Sequence, residues 1–316
     1  MISQLYPYVN RVIFTNFYLI FISMTLIFVS MLCGGCDKSE GKIDFSELQE
    51  NSTINSIPEK TPLRIAFASV ISPIDTRKSY HVLIDELSRQ LDQPVVLIQK
   101  KTYEELNVLL ANGEADIAFL STGAYISYKG AYPIELLAMI KTNDTIFYDT
   151  YLITAKDSDI ESFDDLYHKT IAFTDPASFS GKLVIDNILS SKNTTVEEYF
   201  YRYFYTYNHD KSILAVANHL ADAASVDSQV YDYTLKKNPD IIKQIKIIDV
   251  LEKAPSGPIV IRKDIDKETK AKIQNILFNI HTVKNVKEAL NKVMIDQFVV
   301  PNPELYENLK QKYKIK

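Results

Sequence analysis

The sequence predicts an α/β fold, in which strands alternate with amphipathic helices over most of the chain. From residue 63 onward, short β-branched apolar runs alternate with segments that repeat an apolar residue every three or four positions. About 255 residues follow a polar stretch that ends near residue 61, which is enough for two modest lobes. This alternation predicts mostly parallel sheets with helices on both faces, and ligands bind such sheets at the carboxyl ends of strands.

The first half of the pattern begins with an apolar strand over 63–70. A helix over 80–91 follows, because Leu83, Leu87 and Leu91 recur at helical spacing. The remaining elements of this half are predicted, in order, as a strand over 95–98, a helix over 103–110, a strand over 115–120, a short helix over 124–128, and strands over 134–140 and 148–154.

The second half repeats the alternation. Its predicted helices cover 162–167, 181–189, 212–217 and 228–236, and its predicted strands cover 170–174, 201–205, 223–226 and 245–250. A strand over 258–261 and helices over 267–280 and 286–293 close the chain in this prediction.

The loop Asp175–Gly181 is the most informative stretch, because it joins a buried strand to a helix and carries two hydroxyls. Ser178 and Ser180 fall where the helix begins. A helix start offers unpaired backbone N–H groups and a partial positive charge, which together bind an oxyanion. The alternative is a plain N-cap with no ligand.

The N-terminus predicts a lipoprotein signal peptide over residues 1–35. Residues 12–32 carry no charged side chain, small residues and cysteines follow, and the sequence then turns polar. Cleavage after Gly35 would leave a lipid on Cys36, and residues 36–62 would form a polar tether. The apolar segment is also long enough to cross a bilayer uncleaved. Either reading places the globular part outside the cytoplasm on a membrane anchor.

Composition restricts the partners. The chain has two cysteines, of which cleavage would leave only Cys36, so neither a disulfide nor a catalytic thiolate is expected. The net charge is −5, which argues against nucleic acid as a partner. The histidines show no metal-ligand spacing, and we expect neither a metal nor a cofactor.

Several stretches, taken together and in order, resemble one family: residues 115–120, 156–158, 175–181, 208–210, 214–218, 222–224 and 257–263. The chain resembles the phosphate/phosphite/phosphonate-binding subunit of ABC importers, a type II periplasmic binding protein, over about residues 63–280. The resemblance implies two α/β lobes joined by a two-strand hinge, with the ligand in the cleft. It assigns 63–153 plus 255–316 to lobe 1 and 154–254 to lobe 2.

The resemblance also implies ligand-binding positions, at which hydroxyl and amide donors replace water around an oxyanion. These positions are Tyr103, Tyr148, Ser178, Phe179, Ser180, Gly181 and His209. It implies a monomer that docks on an ABC permease, with no catalytic residue.

The sequence departs from the family pattern at positions that recognise an ammonium group. Relatives that take 2-aminoethylphosphonate use two carboxylates, which align with Gln229 and Gly257. We therefore expect phosphate, phosphite or a small uncharged phosphonate ahead of aminoalkyl phosphonates. Asp227 or Asp210 could restore a partner for a cation. The middle loop residue, Phe179, replaces a hydroxyl and leaves only its backbone amide as a donor.

Two other functions stay open at this point. The same fold could serve as a ligand-sensing receptor subunit for a signalling partner. A hydrolase could be drawn from Ser178 or Ser180 with His209 and Asp210, but the nucleophile-elbow motif is absent. His209 beside Asp210 could also be a helix-end residue with no ligand role.

Overall fold

The computed structural model describes residues 61–68, 71 and 73–314. The predicted signal peptide, the lipid predicted on Cys36 and most of the predicted tether lie outside these residues and stay predictions. In the described part of the chain, no helix has the length and apolar character needed to cross a membrane.

Two mixed sheets organise the described chain. The first sheet contains the strands β1 (Leu63–Ala68), β2 (Val95–Lys100), β3 (Ile117–Phe119), β4 (Ile134–Lys141), β10 (Pro258–Arg262) and β11 (Gln297–Val299), in the spatial order β11-β4-β10-β3-β1-β2. The second contains β5 (Phe147–Ala155), β6 (Thr170–Phe173), β7 (Arg202–Tyr205), β8 (Ala223–Asp227) and β9 (Ile245–Pro255), in the order β7-β6-β8-β5-β9.

Helices cover the sheets as the alternation predicts. They are α1 (Pro73–Leu91), α2 (Tyr103–Ala111), α3 (Thr122–Ile126), α4 (Val184–Ser191), α5 (Val196–Tyr199), α6 (His209–Ala217), α7 (Ser228–Lys237), α8 (Pro239–Ile242), α9 (Lys267–Asn279), α10 (Lys284–Asn291) and α11 (Pro303–Lys312). Short 3₁₀ turns at Asp164–Leu166 and Ile280–Thr282 and a π-helical turn at Phe179–Leu183 complete the set. Local sequence fixes several helix starts: Thr102 and Glu105 form a capping box at α2.

The α/β class is confirmed, but the expectation of mostly parallel sheets is wrong. β1 runs parallel to β2 and β3, and β6 runs parallel to β7 and β8. By contrast, β10 is antiparallel to both β3 and β4, and β5 is antiparallel to both β8 and β9. The chain enters each sheet from the other one through β5 and β10, and both strands run against the direction of their neighbours.

The chain passes between the sheets at residues 142–146 and again at 256–257. The boundary predicted from the sequence puts residues up to 153 in lobe 1, yet β5 pairs along its length with β8 and β9. The first crossing therefore lies before β5 and not after it. Below, lobe 1 means the first sheet with its helices, and lobe 2 means the second sheet with its helices.

The C-terminal part differs most from the sequence prediction, which ended the ordered elements at residue 293. Strand β11 extends the first sheet beside β4, with Phe298 opposite Ile140. Helix α11 then packs across the connection between the lobes, where the Tyr306 hydroxyl donates to the Ser256 carbonyl oxygen at 2.7 Å. Tyr313 follows this helix, and its hydroxyl donates to Glu252 Oε2 at 3.0 Å.

Candidate functional site

A cavity of about 120 Å³ lies between the lobes and is lined by residues of both. The loops that form it follow the carboxyl ends of β3, β6, β7 and β8, the place where ligands bind in α/β sheets. All seven predicted ligand-binding positions except Gly181 line it. Gly181 lies one residue further along the same turn, where its N–H is bonded to Ser178 Oγ.

The loop after β6 supplies two buried serines. Ser178 precedes the π-helical turn in extended conformation, and its Oγ accepts the Gly181 N–H at 3.1 Å. Ser180 is 1% exposed, and Ser225 Oγ donates to its carbonyl oxygen. The predicted N-cap and the predicted ligand-binding serine are therefore compatible, because an Oγ that accepts one bond can still donate its own proton.

Phe179 contributes to this loop through its position and not through a polar side chain. Its ring is 1% exposed and packs against the ring of Tyr313, with the centroids 5.2 Å apart. The aromatic side chain thus fastens the serine loop to the segment after α11. This contact accounts for an apolar residue at a position where a hydroxyl is the family pattern.

His209 begins α6 and is neutral in the folded protein. The backbone N–H of Asp227 donates to His209 Nδ1 at 3.2 Å, so this nitrogen carries no proton and Nε2 carries it. Burial lowers the pKa of His209 to about 3, which keeps the ring uncharged. The Nε2–H lies 3.5 Å from Ser178 Oγ and is available as a donor at the cavity.

The second partner of His209 is a hydroxyl chain behind the ring. Thr174 Oγ1 lies 3.1 Å from Nδ1 and 3.3 Å from Ser212 Oγ, which is 2.7 Å from Thr206 Oγ1. Neither of the two Nδ1 partners is a carboxylate. Asp210 is thus not seen to orient the ring, and the serine–histidine–aspartate arrangement drawn from the sequence is not formed.

Two tyrosines close the cavity on the other side. Tyr103 begins α2 in lobe 1, whereas Tyr148 lies on β5 and thus in lobe 2, not in lobe 1 as expected. The Tyr148 hydroxyl lies 3.4 Å from Thr122 Oγ1. Burial raises the pKa of both phenols well above the usual range, so each keeps its proton and can donate it.

The sequence analysis did not single out the hydroxyls at the start of α3. Ser121 caps this helix and Thr122 begins it, directly after the end of β3, and both line the cavity. Thr122 Oγ1 also donates to the Pro255 carbonyl oxygen at 2.8 Å, which ties it to the end of β9. The sequence did contain an indication of these site residues, because two hydroxyl residues followed by Gly123 come at the carboxyl end of a buried strand.

The charge of the lining is unusual for an anion site. No lysine or arginine is present among the described lining residues, and Asp227 is the one carboxylate there. Burial raises the pKa of Asp227 to about 7, although its Oδ1 accepts the Gln229 N–H at 2.7 Å. Near neutral pH this carboxyl group can therefore either hold a proton or accept one from a ligand.

The two positions aligned with ammonium-binding carboxylates both reach the cavity. Gln229 is the second residue of α7, and its Nε2 donates to the Phe147 carbonyl oxygen at 3.3 Å. At Gly257 a β-carbon would stand 2.2 Å from the Leu120 carbonyl oxygen. Residue 257 therefore cannot carry any side chain without a shift of the backbone. In the described part of the chain no three His, Cys, Asp or Glu side chains converge as a metal site would require.

Comparisons with known proteins agree with this geometry. The family model described as "ABC transporter, phosphonate, periplasmic substrate-binding protein" matches residues 65–306. The phosphonates-binding periplasmic protein of Escherichia coli K12 is 33% identical over 152 residues, which cover 46% of this chain and 44% of that protein. The match therefore spans less than half of that relative's length.

Two solved structures share the fold. One is a binding protein component of an ABC phosphonate transporter from Pseudomonas aeruginosa, with a TM-score of 0.73 and 22% identity over 80% of this chain and 86% of that one. The other is PhnD1 from Prochlorococcus marinus in complex with methylphosphonate, with a TM-score of 0.72 and 17% identity over 80% and 97% of the two chains. At these identities the likeness shows the fold alone, which is that of two-lobed binding proteins.

Proposed function

The chain belongs to the family of periplasmic substrate-binding proteins of phosphonate ABC transporters, and from this we propose that it captures a small phosphorus oxyanion and delivers it to a membrane permease. Membership places its work outside the cytoplasm. The lipid on Cys36, the monomeric state and the permease as docking partner are parts of the proposal. The relative from P. marinus was solved with methylphosphonate, which makes that compound a natural first probe.

One observation carries the proposal: hydroxyl and imidazole donors from both lobes line the same cavity. Ser178, Ser180, Tyr148 and His209 come from lobe 2, and Tyr103 comes from lobe 1. Such donors bind an anion by charge-assisted hydrogen bonds and need no fixed cation. The volume of about 120 Å³ lies well below the roughly 300–1,000 Å³ of pockets for drug-sized ligands, which favours a ligand of few atoms.

Asp227 favours oxyanions that retain an acidic proton over those that are fully ionised. A carboxylate at the cavity repels a fully ionised anion but accepts a hydrogen bond from an anion that keeps one acidic proton. Phosphate, phosphite and alkylphosphonates retain such a proton near neutral pH, whereas sulfate does not. We therefore place sulfate last among the tetrahedral anions.

In the proposed function the protein binds its ligand and does not catalyse a reaction. A general base needs a pKa near the working pH, and burial holds the pKa of His209 at about 3. Its Nδ1 is satisfied by the Asp227 N–H, so the ring has no carboxylate to stabilise an imidazolium. The contact between Ser178 and His209 therefore supports ligand binding and not nucleophilic attack.

Thermal unfolding of the full chain with candidate anions tests the function. A ligand at 1,000 times its Kd stabilises the folded protein by about 4 kcal/mol, which gives a clear rise in Tm. We expect a rise with phosphate, phosphite or methylphosphonate, a smaller one with 2-aminoethylphosphonate, and none with sulfate. The variant Ser178→Ala/Ser180→Ala should lose the rise, while the surface variant Ser190→Ala/Ser191→Ala should keep it. No rise with any phosphorus oxyanion would contradict the proposed function.

A further inference from the structure

A second, more open pocket of about 540 Å³ lies at the mouth between the lobes and is strongly basic. Lobe 1 contributes Arg77 from α1, Lys100 at the end of β2, and Lys101. Lobe 2 contributes Tyr207 and, from the first turns of α6, Lys211. Of the described residues that line this pocket, none is aspartate or glutamate. We call Arg77, Lys100, Lys101 and Lys211 the basic rim.

The basic rim adjoins the inner cavity through neighbouring residues of the same elements. Arg77 follows Thr76 on α1, and Thr76 lines the inner cavity. Lys101 comes two residues before Tyr103, and Lys211 comes two residues after His209. An anion at the rim is therefore at the edge of the space that the ligand must enter.

The charge of the rim contrasts with that of the whole chain and of the inner cavity. The chain has a net charge of −5, and the inner cavity offers no lysine or arginine among its described residues. Glu105, four residues after Lys101, accepts the backbone N–H groups of Lys101 and Thr102 at its Oε2, at 3.1 and 2.9 Å. Glu105 interacts electrostatically with Lys100 and Asp210 with Lys211, and the four cations of the basic rim outnumber these two carboxylates.

One rim lysine is held in place by a strained residue of the other lobe. The ammonium of Lys101 lies 4.1 Å from the centroid of the Tyr207 ring, a cation–π contact that joins the two lobes. Tyr207 has φ of 64°, a left-handed backbone conformation that is unfavourable for an aromatic residue. The Tyr207 ring thus contacts this ammonium at the mouth despite the unfavourable backbone conformation.

We propose that the basic rim is an outer anion site, which collects phosphorus oxyanions from solution before they pass to the inner cavity. A cleft bordered by charges of one sign concentrates ligands of the opposite sign and raises association rates by about 10 to 10³, an effect that salt suppresses. The inner cavity binds without cations, so the rim supplies the attraction that the inner cavity lacks. Delivery to the inner cavity rests on the proposed function; anion binding at the rim does not.

Two measurements on the full chain test the inference. The first uses NMR of ¹³C-dimethylated lysines, assigned by single Lys→Arg changes, during titration with inorganic phosphate. The resonances of Lys100, Lys101 and Lys211 should shift along a saturating curve in the wild type and also in Ser178→Ala/Ser180→Ala. Lys236 and Lys237, exposed at the end of α7, serve as controls and should show no saturating shift. Rim shifts that match these controls would overturn the outer site.

The second measurement is the association rate of methylphosphonate and of phosphate by stopped-flow tyrosine fluorescence. Lys101→Gln/Lys211→Gln should lower the association rate constant about tenfold at low ionic strength, with little change in the dissociation rate and a weaker salt dependence. Lys236→Gln/Lys237→Gln, with the same change in net charge, should leave the rate constant unaltered. An equal fall in both variants, or no fall in either, would overturn the rim's role in delivery. If the rim lysines saturate with phosphate but the inner cavity binds neither anion, the proposed function fails and the outer site stands.

Discussion

Gly123 lies so close to Ala177 that a β-carbon on residue 123 would stand 2.3 Å from the Ala177 carbonyl oxygen. The same atom would lie 2.7 Å from the Phe179 nitrogen. Gly123 belongs to α3 of lobe 1, and Ala177 belongs to the serine loop of lobe 2. Ser121 Oγ donates to the same carbonyl oxygen at 3.2 Å, so a bare glycine and a hydroxyl together let the lobes meet over the cavity.

Gly123→Ala should therefore weaken ligand binding without unfolding either lobe. The added methyl group meets backbone atoms, which cannot rotate away, only when the lobes are in contact. We expect a fall in affinity for methylphosphonate of at least about tenfold, equivalent to about 1.4 kcal/mol, by isothermal titration calorimetry. The Tm without ligand should change little.

Gly130→Ala is the matched control for this closure prediction. Its β-carbon would meet the Tyr128 side chain and Ala111 within lobe 1, away from the contact between the lobes. Wild-type affinity in Gly123→Ala would show that the lobes bind ligand without this contact.

Ser178→Ala and Ser180→Ala should have similar effects on ligand affinity but different effects on stability. Ser178 Oγ caps the turn by accepting the Gly181 N–H, so Ser178→Ala should cost about 1 kcal/mol of unfolding free energy in addition to affinity. Ser180→Ala should reduce affinity by a similar factor with a smaller loss of stability. Urea unfolding and calorimetric titration, with Ser190→Ala as the surface control, measure the two quantities. Equal losses of stability in both variants would contradict the capping role.

His209 and Asp227 should give stability opposite dependences on pH. Burial raises the pKa of Asp227 from 3.8 to about 7, so between pH 4 and 7 the folded state holds a proton that the unfolded state has released, and unfolding free energy falls as pH rises. Burial lowers the pKa of His209 from 6.5 to about 3, so in that interval the unfolded state binds the extra proton, and unfolding free energy rises with pH up to 6.5. The two effects offset each other in the wild type.

Single variants should expose these two slopes. Relative to the wild type, Asp227→Asn should become more stable as pH rises from 4 to 6.5, and His209→Gln should become less stable. Each slope approaches about 1.4 kcal/mol per pH unit, the free energy of one proton. Chemical denaturation at several pH values measures them. Parallel curves for the wild type and both variants would mean that neither group titrates abnormally.

Gln229→Glu should shift preference toward 2-aminoethylphosphonate. The new carboxylate would lie at the cavity where an ammonium group can pair with it, and residue 257 cannot supply a second one because of the Leu120 carbonyl oxygen. We expect the affinity ratio of 2-aminoethylphosphonate to methylphosphonate to rise about tenfold or more by competition calorimetry. Gln244→Glu makes the same charge change in lobe 2 outside the cavity lining and should leave the ratio unaltered. An unchanged ratio in Gln229→Glu would remove this position from ligand discrimination.

The sequence was enough to predict the structure where a local rule and the tertiary structure agree. The Asp-Pro turn and the hydroxyls around Phe179 predicted the serine loop, and the structure puts Ser178 and Ser180 on one cavity with His209. It did not reveal the direction of β10, because strand propensity is the same in parallel and antiparallel sheets. Strand β11 has three residues, too few for an alternating pattern to be recognised.

The electrostatics of the site depended on three-dimensional contacts. Nothing in the local sequence indicates that the Asp227 N–H reaches His209 Nδ1 across 18 residues and thereby fixes the tautomer. The role of Phe179 was also hidden, since its partner Tyr313 lies far along the chain.

Helix α11 and Tyr313 touch the connection between the lobes, the strand β9 and the serine loop through Ser256, Glu252 and Phe179. These contacts belong to the arrangement in which the lobes meet, and Phe179 and Ser256 line the cavity, whereas no residue of α11 does. A solvent-sensitive dye attached on the outer face of this helix would therefore change its emission when ligand is captured. The terminal helix offers a ready position for an optical sensor of dissolved phosphorus compounds, one whose signal does not compete with the analyte.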